Sequence, residues 1–109
     1  MKYARMIGIV GILLAGIFVT QAQSEDYGKV VYQNNCAMCH GAAGNGDGPM
    51  ARGMGARPVD FTGEQFWHND PGKKIRDAVE YGYGAMPPLD LTSGEIKAVS
   101  DYIEKTFRK

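Results

Sequence analysis

Apolar residues along the chain fall into one uninterrupted run and then three stretches at helical spacing. Residues 6–19 form a run of 14 without a charged side chain. Beyond it, Tyr27, Val30 and Val31 stand at i, i+3 and i+4, and Ile75, Ala78 and Val79 repeat that spacing. Ile96, Val99, Ile103 and Phe107, with Tyr102 beside them, carry the same period to the C-terminus. This is the pattern of amphipathic helices with one buried face, and no segment alternates with period two as a half-buried strand does. The start and stop signals agree. Ser24 or Asp26 is placed to cap a helix over residues 26–35, Asp70 followed by Pro71 opens a second, and Gly82 ends it. Thr92 with Glu95 three residues later is a capping-box pattern for the third. The prediction is an all-α fold of three main helices joined by turns, without internal repeat or linker.

The first run has a different meaning. Lys2 and Arg5 precede it, and Thr20-Gln21-Ala22 follows with small residues at alternate positions. That is the layout of a secretory signal peptide, with cleavage expected after Ala22 and the alternative site after Ser24. A bilayer span needs about 18 to 20 apolar residues, so retention as an anchor is the second reading. The expected division is a leader over residues 1–22 and one domain over 23–109. A domain that small builds a limited core from its own side chains, which makes a large apolar cofactor a natural filler.

Charge narrows the partners only by exclusion. The full chain balances 12 Lys and Arg against 12 Asp and Glu. There is no basic stripe of the kind that nucleic-acid binding requires. The cluster Lys73, Lys74 and Arg76 and the cluster Lys105, Arg108 and Lys109 read as solvated faces.

The only two cysteines stand together with a histidine, in Cys36-Ala37-Met38-Cys39-His40. Residues three apart share a helical face, so both thiols can meet the two vinyl groups on one edge of a porphyrin. His40 then follows where an imidazole can bind the iron. Cys-x-x-Cys-His is the attachment signature of a c-type haem. Other uses of the motif are weaker. A thioredoxin-like disulfide needs a βαβ setting, and a zinc site needs four ligands where only His68 or a carboxylate could complete the set. Inert buried thiols would not call for the adjacent histidine. The glycine-rich segment 41–48 follows a helix rather than a strand, which argues against a phosphate cradle.

With Gly28 and Tyr32 eight and four residues before Cys36, the chain resembles a small bacterial class I cytochrome c over most of residues 28–109. The resemblance implies that Gly28 and Tyr32 let the N-terminal helix cross the C-terminal helix closely, with Val99 and Tyr102 as partners. It implies that Pro49, nine residues after His40, lends its carbonyl to the ring nitrogen of that ligand. It also implies that Met86, in Gly84-Ala85-Met86-Pro87, is the second iron ligand. Met38, Met50 and Met54 lie too close to the proximal turn for that task, and His68 is the rival. Phe61, Phe66 and Trp67 are expected around the haem, with the Trp67 N–H and the guanidinium groups of Arg52 and Arg57 as candidate partners of its propionates.

These readings converge on an exported, periplasmic monohaem electron carrier with one covalently bound haem c. Its partners would be redox proteins: a membrane oxidoreductase complex and a terminal oxidase or reductase. The membrane itself would be a partner only if residues 1–22 are retained. The alternative from another class is a haem-based ligand sensor or a peroxidase-like enzyme with a labile sixth ligand.

Overall fold

The computed structural model describes residues 16–55 and 57–109. Most of the expected leader, including Lys2 and Arg5, lies outside the described residues. Among the described residues, five α-helices follow in order: α1 (Gly16–Asn35), α2 (Ala37–His40), α3 (Pro49–Met54), α4 (Pro71–Tyr81) and α5 (Ser93–Phe107). A single 3-10 turn, Glu64–Trp67, precedes α4. Among the described residues there is no strand, only an isolated bridge between Tyr83 and Met86. None of these helices is long and apolar enough to cross a membrane. The all-α architecture of three long helices and short turns is the one expected.

Local chemistry sets the helix ends. Asp70 caps α4 by accepting from the Lys73 N–H at 3.1 Å, and Pro71 occupies the first turn, where no N–H is missed. Asn69 and Asp70 both adopt positive φ, 60° and 58°, a conformation that Asn and Asp tolerate better than other side chains. At α5 the capping box is complete: Thr92 Oγ1 accepts from the Glu95 N–H, and Glu95 Oε1 accepts from the Thr92 N–H.

The entry to α1 differs from the expectation. The helix runs through Ser24 and Asp26, so neither is a cap. Residues 17–25 contain neither Pro nor Gly, and a helix nucleated further along extends through such a segment at little cost.

The buried face of α1 is also rotated from the one read in the sequence. Val31 is buried, but Tyr27 and Val30 are 47% and 50% exposed. Gly28, Val31 and Tyr32 form the inward face instead, again at i, i+3 and i+4. The reason is the contact with α5. The backbone of Gly28 lies so near α5 that a Cβ there would meet the Ala98 carbonyl oxygen at 2.3 Å and Tyr102 Cβ at 2.9 Å. Only a residue without a side chain can occupy that position, so a face with glycine at its centre is the buried one.

The core gathers around this crossing. Val31, Tyr32, Ile75, Val79, Ile96, Val99, Ile103 and Phe107 are buried together with Phe61. The Tyr32 ring packs against Tyr102 and Phe107, with centroids 5.4 and 5.3 Å away. Its hydroxyl, fully enclosed, donates to the Gly41 carbonyl at 2.6 Å. That bond ties α1 directly to the residue after His40.

Candidate functional site

The motif cysteines sit where α1 passes into α2. The Cys36 N–H donates to the Tyr32 carbonyl at 2.8 Å, and the His40 N–H donates to the Cys36 carbonyl at 2.9 Å. The five residues are therefore carried on a nearly continuous helical path. Both cysteines are partly buried and are not joined in a disulfide. Before any haem is attached, burial, followed by the neighbouring Cys39, pushes the Cys36 thiol up to about 11.

The His40 ring is held from two directions. Its Nδ1 lies 3.1 Å from the Val59 carbonyl oxygen. A carbonyl only accepts, so Nδ1 carries the proton and Nε2 keeps the lone pair that a metal needs. The ring stacks on Phe61 with centroids 4.6 Å apart and planes at 23°. Phe61 in turn stacks on Phe107, which touches Tyr32, so a run of rings links His40 to the helix crossing. Burial lowers the His40 pKa, against the opposing effect of the Val59 hydrogen bond. The ring thus stays neutral to lower pH than a free imidazole does.

The partner of Nδ1 corrects the expectation for Pro49. Pro49 opens α3 as its first residue, and the carbonyl at His40 belongs to Val59, ten positions later. The loop explains how Val59 gets there. The Gly46 N–H donates to the His40 carbonyl at 2.7 Å, and the Phe61 N–H donates to the Gly44 carbonyl at 2.7 Å. Gly46, at φ 84°, lets the Pro58 carbonyl approach to within 2.7 Å of where a Cβ would stand. Gly46→Ala is therefore expected to push residues 58–59 away from the imidazole and weaken its hydrogen bond. With iron bound at His40, as the motif implies, a weaker donor imidazole would favour the reduced state, and a redox titration should give a higher potential than wild type. Left-handed alanine adds a stability loss of about 1–2 kcal/mol, readable by thermal unfolding.

One cavity of about 870 Å³ opens beside these residues, near the upper end of the roughly 300–1,000 Å³ usual for cofactor pockets. Cys36, His40 and Met86 all line it, as do Phe61, Phe66, Ile75, Val99 and Ile103. Its lining is predominantly apolar, with a titratable nitrogen and a thioether among the groups that face it. This suits a porphyrin tethered by Cys36 and Cys39. A second depression of about 460 Å³, beside the helix crossing at Tyr27, Ala98 and Tyr102, has no Cys, His or Met. Among the described residues no three of His, Cys, Asp and Glu are grouped to hold a metal ion.

Other expected residues divide clearly. Met38, Met50 and Met54 are exposed, and His68 is exposed and outside the cavity wall. Trp67 does not line the cavity, and its N–H donates to the Phe61 carbonyl at 2.8 Å. Its ring lies under the Arg108 guanidinium at 5.5 Å. Arg52 and Arg57 are exposed and neither lines the cavity. The basic side chain that does is Lys74, which the sequence placed on a solvated face. Its ammonium donates to the His68 carbonyl at 2.6 Å and to the Phe66 carbonyl at 3.3 Å, and lies over the Phe66 ring. The signal available was its place one residue before Ile75, at the edge of the buried face of α4.

Comparison with known proteins agrees with this geometry. The cytochrome c family profile matches residues 25–107. The chain is 34% identical over 88 residues to the Cbb3-type cytochrome c oxidase subunit CcoP of Azospirillum brasilense, covering 77% of this chain and 29% of that one. It is 32% identical over 85 residues to the corresponding CcoP subunit of Rubrivivax gelatinosus, covering 74% and 25%. The chain therefore spans less than a third of the length of these relatives. No solved structure matches it significantly. A match that takes in the motif, the cavity and both crossing helices leaves one assignment: the chain belongs to the cytochrome c family, with covalently bound haem c as its cofactor.

Proposed function

We propose that the chain is an exported carrier of single electrons in a respiratory pathway, with His40 and Met86 as the axial ligands of its haem iron. One observation carries the reading: His40 and Met86 line the same cavity as the tethering Cys36. The haem supplies reversible one-electron chemistry at iron.

The residues of the chain do the rest. The Val59 carbonyl fixes the tautomer of His40, and Phe61 fixes the plane of its ring. Met86 offers a soft thioether, and a His/Met pair raises the potential. With protein ligands on both axial positions, no place is left for oxygen or peroxide. That favours a carrier over a ligand sensor or a peroxidase-like enzyme, and the chain is read as transferring electrons without catalysing a reaction of its own. The oxidase subunits among its relatives favour a terminal oxidase as the redox partner. The carrier works in the periplasm, free if residues 1–22 are removed and at the membrane surface if they are kept.

Optical redox titration of the purified holoprotein, with and without CO, tests the proposal. The expected result is one single-electron wave from a low-spin protein that CO leaves unchanged. A high-spin resting protein that takes up CO at once would replace the carrier by the sensor or peroxidase-like reading.

A further inference from the structure

The segment that carries Met86 is bound to α4 on both sides. At the end of α4 the Gly82 N–H donates to the Ala78 carbonyl at 2.9 Å, and the chain turns out with a φ of 76°. Tyr83 and Met86 then exchange both of their backbone hydrogen bonds, at 3.0 and 2.9 Å, with Gly84 and Ala85 as the tight turn between them. After Pro87 and Pro88, the Leu89 N–H returns to the Val79 carbonyl at 2.8 Å. The backbone of Met86 is thus placed by the chain before its sulfur binds anything.

Two glycines frame this turn, and their surroundings differ. A Cβ on Gly82 would stand 2.8 Å from the Met86 carbonyl oxygen and 3.1 Å from Pro88 Cδ. On Gly84, at φ 56°, it would meet nothing within 4 Å. Both have left-handed backbones, so alanine strains either one. Only at Gly82 does the side chain also collide with the backbone of Met86.

We infer that Gly82 is a positioning residue for Met86, and that the bridged turn it permits makes the exchange of Met86 for an outside ligand slow. The inference rests on the reading of Met86 as an axial ligand. Strain introduced at Gly82 is relieved when the turn opens, so it speeds release of the thioether.

The test is the rate at which imidazole binds to the oxidised holoprotein, followed through the main haem absorbance band in wild type, Gly82→Ala, Gly84→Ala and Met86→Ala, with loss of the sulfur-to-iron charge-transfer band as a second signal in the three proteins that keep Met86. Gly82→Ala should bind imidazole on the order of tenfold faster than wild type, and clearly faster than Gly84→Ala. Equal rates in the two glycine variants, or no acceleration in Gly82→Ala, would overturn the inference. Wild type reacting as fast as Met86→Ala would instead defeat the ligand reading beneath it. Hydrogen exchange on wild-type holoprotein gives a measurement that needs no variant. The Tyr83 and Met86 amides should be protected, and exchange as fast as that of an exposed loop would overturn the bridged turn as a clamp.

Discussion

Gly28→Leu lowers the melting temperature of the holoprotein by roughly 10 °C or more, as followed by absorbance or circular dichroism. The Cβ alone would lie 2.3 Å from the Ala98 carbonyl oxygen, which is backbone inside a helix and cannot swing aside. α5 must therefore move as a body, opening the contacts of Tyr32 with Tyr102 and Phe107. Overpacking of this kind costs about 1–3 kcal/mol or more, and about 1 kcal/mol shifts a domain of this size by roughly 4–8 °C. Gly53→Ala is the control. It lies in α3 with nothing within 4 Å of its Cβ, and alanine there should leave stability unchanged or raise it slightly. An unchanged melting temperature in Gly28→Leu would mean that the helix crossing does not hold the holoprotein together.

Met86→Ala is expected to have the largest effect on redox behaviour. On the proposal that Met86 binds the iron, loss of the thioether removes the ligand that favours the reduced state, and the potential should fall by on the order of a few hundred millivolts. That is part of the roughly 0.8 V that axial ligands span among haem proteins. The charge-transfer band of the oxidised protein should disappear, and CO should bind the reduced protein readily. Because Met86 is only partly buried, the substitution should cost less stability than Gly28→Leu. A potential and spectrum like those of wild type would exclude Met86 as the ligand.

The sequence singles out both positions, for different reasons. Gly28 stands eight residues before Cys36, and glycine inside a helix costs about 1 kcal/mol unless something needs the space. Met86 stands among small residues and prolines that only a tight, close-approaching loop accommodates. Asp70, Gly82 and the Thr92–Glu95 pair were legible too, because caps act over three or four residues and leave their mark in the local order of side chains. Tyr27 and Val30 misled for a related reason. Their spacing makes an apolar face, but a helix buries the face that its neighbour can approach, and glycine marks that face without adding to the hydrophobic count.

The sequence by itself determined the haem c cofactor, the three long helices and the capping residues of α4 and α5. Each of these depends on side-chain identity at short range. Tertiary structure decided which carbonyl orients His40, where the Trp67 N–H is spent and which basic side chain faces the cavity. Every residue has a carbonyl oxygen, so side-chain pattern does not distinguish Val59 from Pro49 as a partner. Val59 wins because Gly46 lets the 58–59 segment fold back against the proximal loop, 19 residues from the ring it holds.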